Sequence, residues 1–203
     1  ELSDNFAIDG VVSYGRTDFD AYNQGNINRV AVEQGINGCR NSAGVVNGPG
    51  VLPGCVNVDI FGPGSIAPSS LAFIRTDTQD TAQFDQVRAA ANLTGTLFEL
   101  PGGPAGIAVG IEYRKDTGIS TPDDAKIRGE IIGFNAQQPL GGTVIAKEVY
   151  GEIRLPVIDM LSFEAGARYS DYSSVGGLFN YKLAAEFKPV DWVKFRGAYN
   201  KAA

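Results

Sequence analysis

Histidine is absent from the 203 residues, methionine and tryptophan occur once each, and cysteine occurs twice. With no histidine, no nucleophile motif and both cysteines in a loop, hydrolytic triads have no support and the chain is not expected to be an enzyme. Metal binding by the two cysteines is disfavoured for the same reason, and no cofactor is expected. No stretch concentrates Lys and Arg. Seventeen basic side chains face 23 acidic ones, for a net charge of -6, which argues against nucleic acid as a partner because phosphate binding needs a basic footprint. Long apolar runs are missing too. Residues 106–111 are among the longest and fall far short of the ~20 residues that a spanning helix requires. A membrane, if there is one, must be crossed by strands. The opening Glu1-Leu2-Ser3-Asp4 has neither a basic start nor an apolar stretch, so no signal peptide is expected in the chain as it stands; either it has been removed or the chain begins mid-protein.

What is abundant is glycine, with 26 residues, accompanied by 11 Phe and 8 Tyr. These residues fall in stretches of period two, the repeat of a strand with one apolar face. In residues 6–14 the even positions are Phe6, Ile8, Gly10, Val12 and Tyr14, against Asp9 and Ser13 on the odd ones. Residues 87–97 set Val87, Ala89, Ala91, Leu93 and Leu97 against Arg88, Asn92, Thr94 and Thr96. The third stretch, 105–115, sets Ile107, Val109, Ile111 and Tyr113 against Glu112 and Arg114. Residues 145–155 oppose Val149, Ile153 and Leu155 to Glu148, Tyr150, Glu152 and Arg154, and residues 161–169 oppose Leu161, Phe163 and Tyr169 to Glu164 and Arg168. Two more follow at 179–188 and 193–200. The pattern predicts seven strands, each near the ~9 to 11 residues that cross a bilayer at a tilt.

The connections alternate in length. Pro- or Gly-bearing turns at 99–104, 156–160 and 189–191 are short, as hairpin turns are. The opposite ends are joined by loops of about 20–82, 117–142 and 173–178. Short turns on one side and long loops on the other form the outer-membrane pattern and point the first strand toward the cell exterior. With that orientation Tyr14, Tyr113, Tyr169 and Tyr199 fall at outer ends of the apolar face, and Phe6, Phe163, Phe187 and Phe195 toward periplasmic ends. Aromatic residues sit there where headgroups begin. A soluble β-sheet module that binds a partner through its long first loop also shows alternating strands. Loop asymmetry, the tyrosine placement and strands longer than the ~5 to 6 residues common in soluble sheets favour the membrane.

Other motifs carry less. Residues 102–106 are glycine-rich, but an alternating strand follows where a nucleotide loop needs a helix. Pro68 suits the first turn of one short helix over residues 68–74 in the first outer loop. Glu148 and Glu152 share a strand face that is charged in neighbouring strands as well, which reads as a hydrated lining and not as an acid/base pair. Asp77, Asp80, Asp123 and Asp124 lack the spacing of a calcium loop and are expected to be solvated loop acids. Cys39 and Cys55 share a Gly/Pro/Asn-rich stretch; a disulfide and two free thiols both fit it, the bridge implying the periplasm or the cell surface.

Four segments resemble the barrel of TonB-dependent outer-membrane receptors: FDQVRAAANLTGTLFELPGGPAGIAVGIEYRKD (84–116), KEVYGEIRLPVI (147–158), FEAGARYSDYSSVGG (163–177) and FNYKLAAEFKPVDWVKFRGAYNKA (179–202). The loop with Cys39, Cys55 and VNVDIFGPGSIAPSSLAFI (56–74) looks like the outer loop that precedes these strands. The resemblance implies an antiparallel up-and-down transmembrane β-barrel segment, all of residues 1–203 being part of a barrel of about 22 strands. A plug domain and a closing strand are expected outside this chain. The implied partners are outer-membrane lipid, the TonB complex through the plug, and a small nutrient such as a siderophore or other metal chelate, cobalamin or a saccharide. Ligand contact is expected in the long outer loops, with Arg88, Glu112, Arg114, Tyr150 and Arg168 as lumen-facing supports.

Overall fold

A computed structural model describes residues 5–202. Residues 1–4, where the absence of a signal peptide was read, and residue 203 lie outside the described residues. Seven strands form one antiparallel sheet in the order of the chain: β1 (Phe6–Ile27), β2 (Arg75–Leu100), β3 (Gly103–Thr121), β4 (Leu140–Ile158), β5 (Leu161–Tyr172), β6 (Gly176–Val190) and β7 (Val193–Lys201). Each alternating stretch of the sequence lies within one of them. Three helices are added: α1 (Arg29–Ile36), α2 (Pro68–Ile74) and α3 (Asp124–Ile127). The expected short helix is α2, with Pro68 in its first turn.

The connections between paired strands are shorter than the outer loops expected at about 20–82, 117–142 and 173–178: they are 28–74, 122–139 and 173–175, because the strands run on into those ranges. The physical reason is that alternation marks only the part of a strand with one apolar face. Residues 16–26 of β1 carry polar side chains on both faces, yet their backbone still pairs in the sheet. At ~3.3 Å per residue, the 26 residues of β2 extend to roughly 85 Å and number between two and three times the ~9 to 11 residues that cross a hydrocarbon layer.

The chain divides into two compact units. The sheet unit comprises residues 1–16, 84–117 and 142–203. Its register sorts side chains by face. Across β4, β5, β6 and β7, Ile153 stands beside Ala165, Leu183 and Tyr199, and Leu155 beside Phe163, Ala185 and Gly197. One residue along, Glu152 is followed by Gly166, Lys182 and Asn200, and Arg154 by Glu164, Ala184 and Ala198. The apolar face is uncovered: Val12 is 83% exposed, Ile111 60% and Leu183 53%. A soluble sheet buries such a face, whereas a sheet in lipid leaves it outward. Aromatic rings run along it, with Phe179 and Tyr181 6.1 Å apart and Tyr181 and Tyr199 6.0 Å apart. Tyr169 stands opposite Phe179 in register, and Phe187 opposite Phe195 next to the last turn.

The loop unit, residues 17–83 and 118–141, holds a small apolar core of Ala31, Val58 and Ile74 packed with Ile27, Val32 and Phe73. The Asn28 side chain caps α1 by accepting from the Ala31 amide at 3.0 Å, a typical N-cap bond. A Cβ on Gly35 would overlap Val58, so glycine there lets α1 touch the segment leading to α2. Cys39 and Cys55 form a disulfide with 5.7 Å between their Cα atoms, which resolves the choice between bridge and free thiols. The second loop joins the unit through backbone bonds, Arg29 N–H to Glu130 O at 2.6 Å and Ile132 N–H to Ile27 O at 2.9 Å.

Candidate functional site

The polar face of the sheet unit carries most of its titratable and hydrogen-bonding groups, which the strand period puts on one side. Arg88 of β2 donates to Glu112 of β3 at 2.8 Å. Arg114 lies 3.1 Å from Asp116, which also accepts from Gln86 at 2.8 Å. Further along the face, Asn92 of β2 donates to Asp9 of β1 at 2.8 Å and accepts from the Tyr150 hydroxyl of β4. Arg168 of β5 stacks over the Tyr150 ring at 5.3 Å and donates to Glu148. Tyr172 donates to the other Glu148 oxygen at 3.0 Å. One connected series therefore runs from β1 to β5.

The series depends on a gap. β3 lies between Asn92 and Tyr150, and its residue at the crossing is Gly110. A Cβ there would come within 2.5 Å of both Asn92 Oδ1 and the Tyr150 ring. Glycine thus lets the tyrosine reach over one strand to the next but one. Tyr150 and Arg168 also line a concavity of about 780 Å³ together with Glu152, Arg154, Asn180 and Lys182. Arg88, Glu112 and Arg114 do not line it.

Of the five residues anticipated from sequence, Tyr150 and Arg168 are in contact, Arg88 and Glu112 are in contact, and Arg114 stands with Asp116. Asp9, Asn92, Gly110, Arg154 and Lys182 were not anticipated as part of the site. Parity already put Asp9, Asn92 and Arg154 on the polar face; what it does not carry is which side chains cross strands. Chemically, the face offers paired charges, amides and phenols. Such a surface holds water and polar solutes without a strong field of one sign. Among the described residues no cluster of three acidic or cysteine side chains is arranged for a metal ion.

The loop unit has its own polar constellation. Asp80 accepts from Lys126 Nζ and from the Asp123 amide at 3.0 Å. Asp123 accepts in turn from the Ala125 amide at 2.8 Å and the Gln79 amide at 3.0 Å. Lys126 is only 5% exposed and lies 5.4 Å from the centre of the Phe134 ring. Burial pushes the Asp80 carboxyl up, but the Lys126 hydrogen bond and charge and the Asp123 amide outweigh it, leaving it below the usual carboxylate range. The Gly25 amide, followed by the Tyr22 hydroxyl, lowers Asp77. The expectation of solvated loop acids is corrected for Asp80 and Asp123, which are half-buried among these donors because the strand extension and the second loop meet there. Asp77, by contrast, stays exposed while accepting from Gly25 and Tyr22.

No curated protein and no solved structure matches the chain. A family model described as TonB dependent receptor-like, beta-barrel matches residues 1–202. That match agrees with a sheet whose apolar face is outward and whose polar face is internally paired, and the chain belongs to the TonB-dependent receptor β-barrel family.

Proposed function

We propose that this chain is one arc of the barrel wall of a bacterial outer-membrane receptor that takes up a small nutrient with energy delivered through TonB. In this reading the loop unit captures the ligand and the polar face of the sheet unit lines its route. Arg88, Glu112, Arg114, Tyr150 and Arg168 support that route by keeping the wall hydrated and charge-balanced. The ligand class follows from the family resemblance: a metal chelate such as a siderophore, cobalamin or a saccharide. The plug that contacts TonB is expected outside this chain.

The observation that carries the reading is the inverted sheet, whose apolar face is uncovered while its polar face is cross-linked by hydrogen bonds. The experiment is uptake by cells in which the receptor gene is deleted and restored. Labelled ferric siderophore, cobalamin and oligosaccharide are each offered, with and without an uncoupler of the inner membrane. Energy-dependent uptake of one class that requires the receptor supports the proposal. A receptor recovered in the soluble fraction, or uptake indifferent to the uncoupler, overturns it.

A further inference from the structure

We propose that the apolar face of the sheet unit carries a site for a phosphate-bearing membrane lipid, with an acyl chain in a trough over β2 and the headgroup on Lys115 and Lys147. The proposal rests on the barrel-wall reading above. The trough is a matter of residue size. On β2 the apolar-face positions 89 and 91 are both alanine, whereas β1 presents Val12 and β3 presents Ile111 and Tyr113. Side chains stand perpendicular to a sheet, so two methyl groups between longer neighbours leave a depression. Ala89 and Ala91 are half-buried at its floor, while Val12 and Ile111 are exposed at its walls. The depression measures about 530 Å³, inside the ~300 to 1,000 Å³ range of small-ligand sites. Arg88 and Asn92 do not line it, whereas Glu112 and Glu148, whose carboxylates pair with Arg88 and Arg168 on the polar face, border it as strand neighbours of Ile111, Tyr113 and Lys147.

Charge marks one end of the trough. Lys147 is part of its lining, and Gly151 lies against Val109, which by the two-residue period brings Lys147 beside Tyr113. Lys115 follows two residues beyond Tyr113 on the same face, and both lysines are exposed. Neither forms an ion pair or hydrogen bond among the described residues. Asp171 stands opposite Lys147 in the β4–β5 register, yet no ion pair joins them. A lysine at the edge of an apolar band lays its stem on that band and holds its ammonium at headgroup level. A soluble anion gains nothing from the alanine floor, and a lipid without net charge gains little from two unpaired ammonium groups. A lipid whose phosphate leaves it with a net negative charge satisfies both.

Native mass spectrometry of the full receptor that carries this chain tests the site. The receptor is released from detergent after titration with palmitoyl-oleoyl phosphatidylglycerol or the corresponding phosphatidylcholine. The expected result is preferential retention of phosphatidylglycerol, lowered at least about fivefold by Lys115→Ala with Lys147→Ala and kept by Lys→Arg at both positions. Ala91→Phe, which fills the trough, lowers retention with the lysines intact. Should that variant fail to fold, the lysine variants decide, since both positions are exposed. Equal retention of the two lipids, unchanged retention in the double variant, or displacement of the lipid by millimolar inorganic phosphate overturns the site. A membrane-embedded receptor that is indifferent to the lysines overturns only this inference, whereas a receptor folded in plain buffer overturns the barrel reading as well.

Discussion

Two residues set how their surroundings hold together. At Gly110 the absent side chain is the feature that matters, because Tyr150 and Asn92 meet directly above it. Gly110→Ala displaces one of them and is expected to lower stability by about 1 to 3 kcal/mol, the cost of a buried hydrogen-bonding group left unmade. Gly106→Ala, on the same strand with open space at its Cβ, is the control and is expected to be near neutral. Equal unfolding midpoints in detergent for the two variants would refute the crossing. At Lys126 the asymmetry between partners is informative. Asp80→Asn leaves a buried ammonium without its carboxylate and is expected to cost about 3 kcal/mol locally. Lys126→Met removes the charge, fills the volume and leaves Asp80 its Asp123 amide, so it should cost less. Hydrogen exchange at residues 122–139 reads both. The pH dependence follows from the lowered Asp80 carboxyl: its contribution is complete above the unfolded value near ~3.9 and is lost as pH falls through the lower folded value. Exchange at these residues is expected to quicken in that acid window, and Asp80→Asn should abolish the step.

At the scale of elements, the disulfide and the strand extensions behave differently from the wall. Cys39 and Cys55 are 16 residues apart, and a bridge of that loop size is worth about 3 kcal/mol in the chain-entropy account. Cys39→Ser with Cys55→Ser is expected to open residues 40–54 to protease while α1 and α2 stay joined through Ala31, Val58 and Ile74. Cleavage within α1 at the same rate would show that the bridge, and not this cluster, holds the helices. The same contrast explains what the sequence makes legible. Seven strands, their faces and α2 can be read because one apolar and one polar face impose a two-residue period, and because Pro68 marks a helix start. The strand ends cannot, since residues 16–26 are wet on both faces and only their backbone pairing is regular. Helix α1 hides behind Val30 and Val32, which favour strands, and becomes visible only through the Asn28 cap. Helix α3 has four residues, too few for any period. The site was legible as a face, whereas its cross-strand contacts depend on side-chain reach over Gly110.

For the whole molecule, the decisive question is which face meets water, and a pair of neighbouring positions on β6 answers it. Leu183 lies on the apolar face between Ala165 and Tyr199, and Ala184 on the polar face between Glu164 and Ala198. In a soluble sheet lying open to solvent, an arginine at half-exposed Leu183 would be nearly neutral, since surface substitutions fall within about 0.5 kcal/mol. In a bilayer the same change puts a guanidinium in hydrocarbon, at about 2 to 4 kcal/mol near the midplane. Ala184→Arg faces water in either case and stands beside Glu164, so it should change stability little. Folding of the full receptor into phospholipid vesicles, followed by denaturant titration, separates the outcomes. The barrel wall requires Leu183→Arg to be the costly member of the pair by at least about 1.5 kcal/mol, tenfold or more in the folding equilibrium. Equal costs would mean that the apolar face is not in contact with lipid, and the arrangement of the wall would have to be inverted.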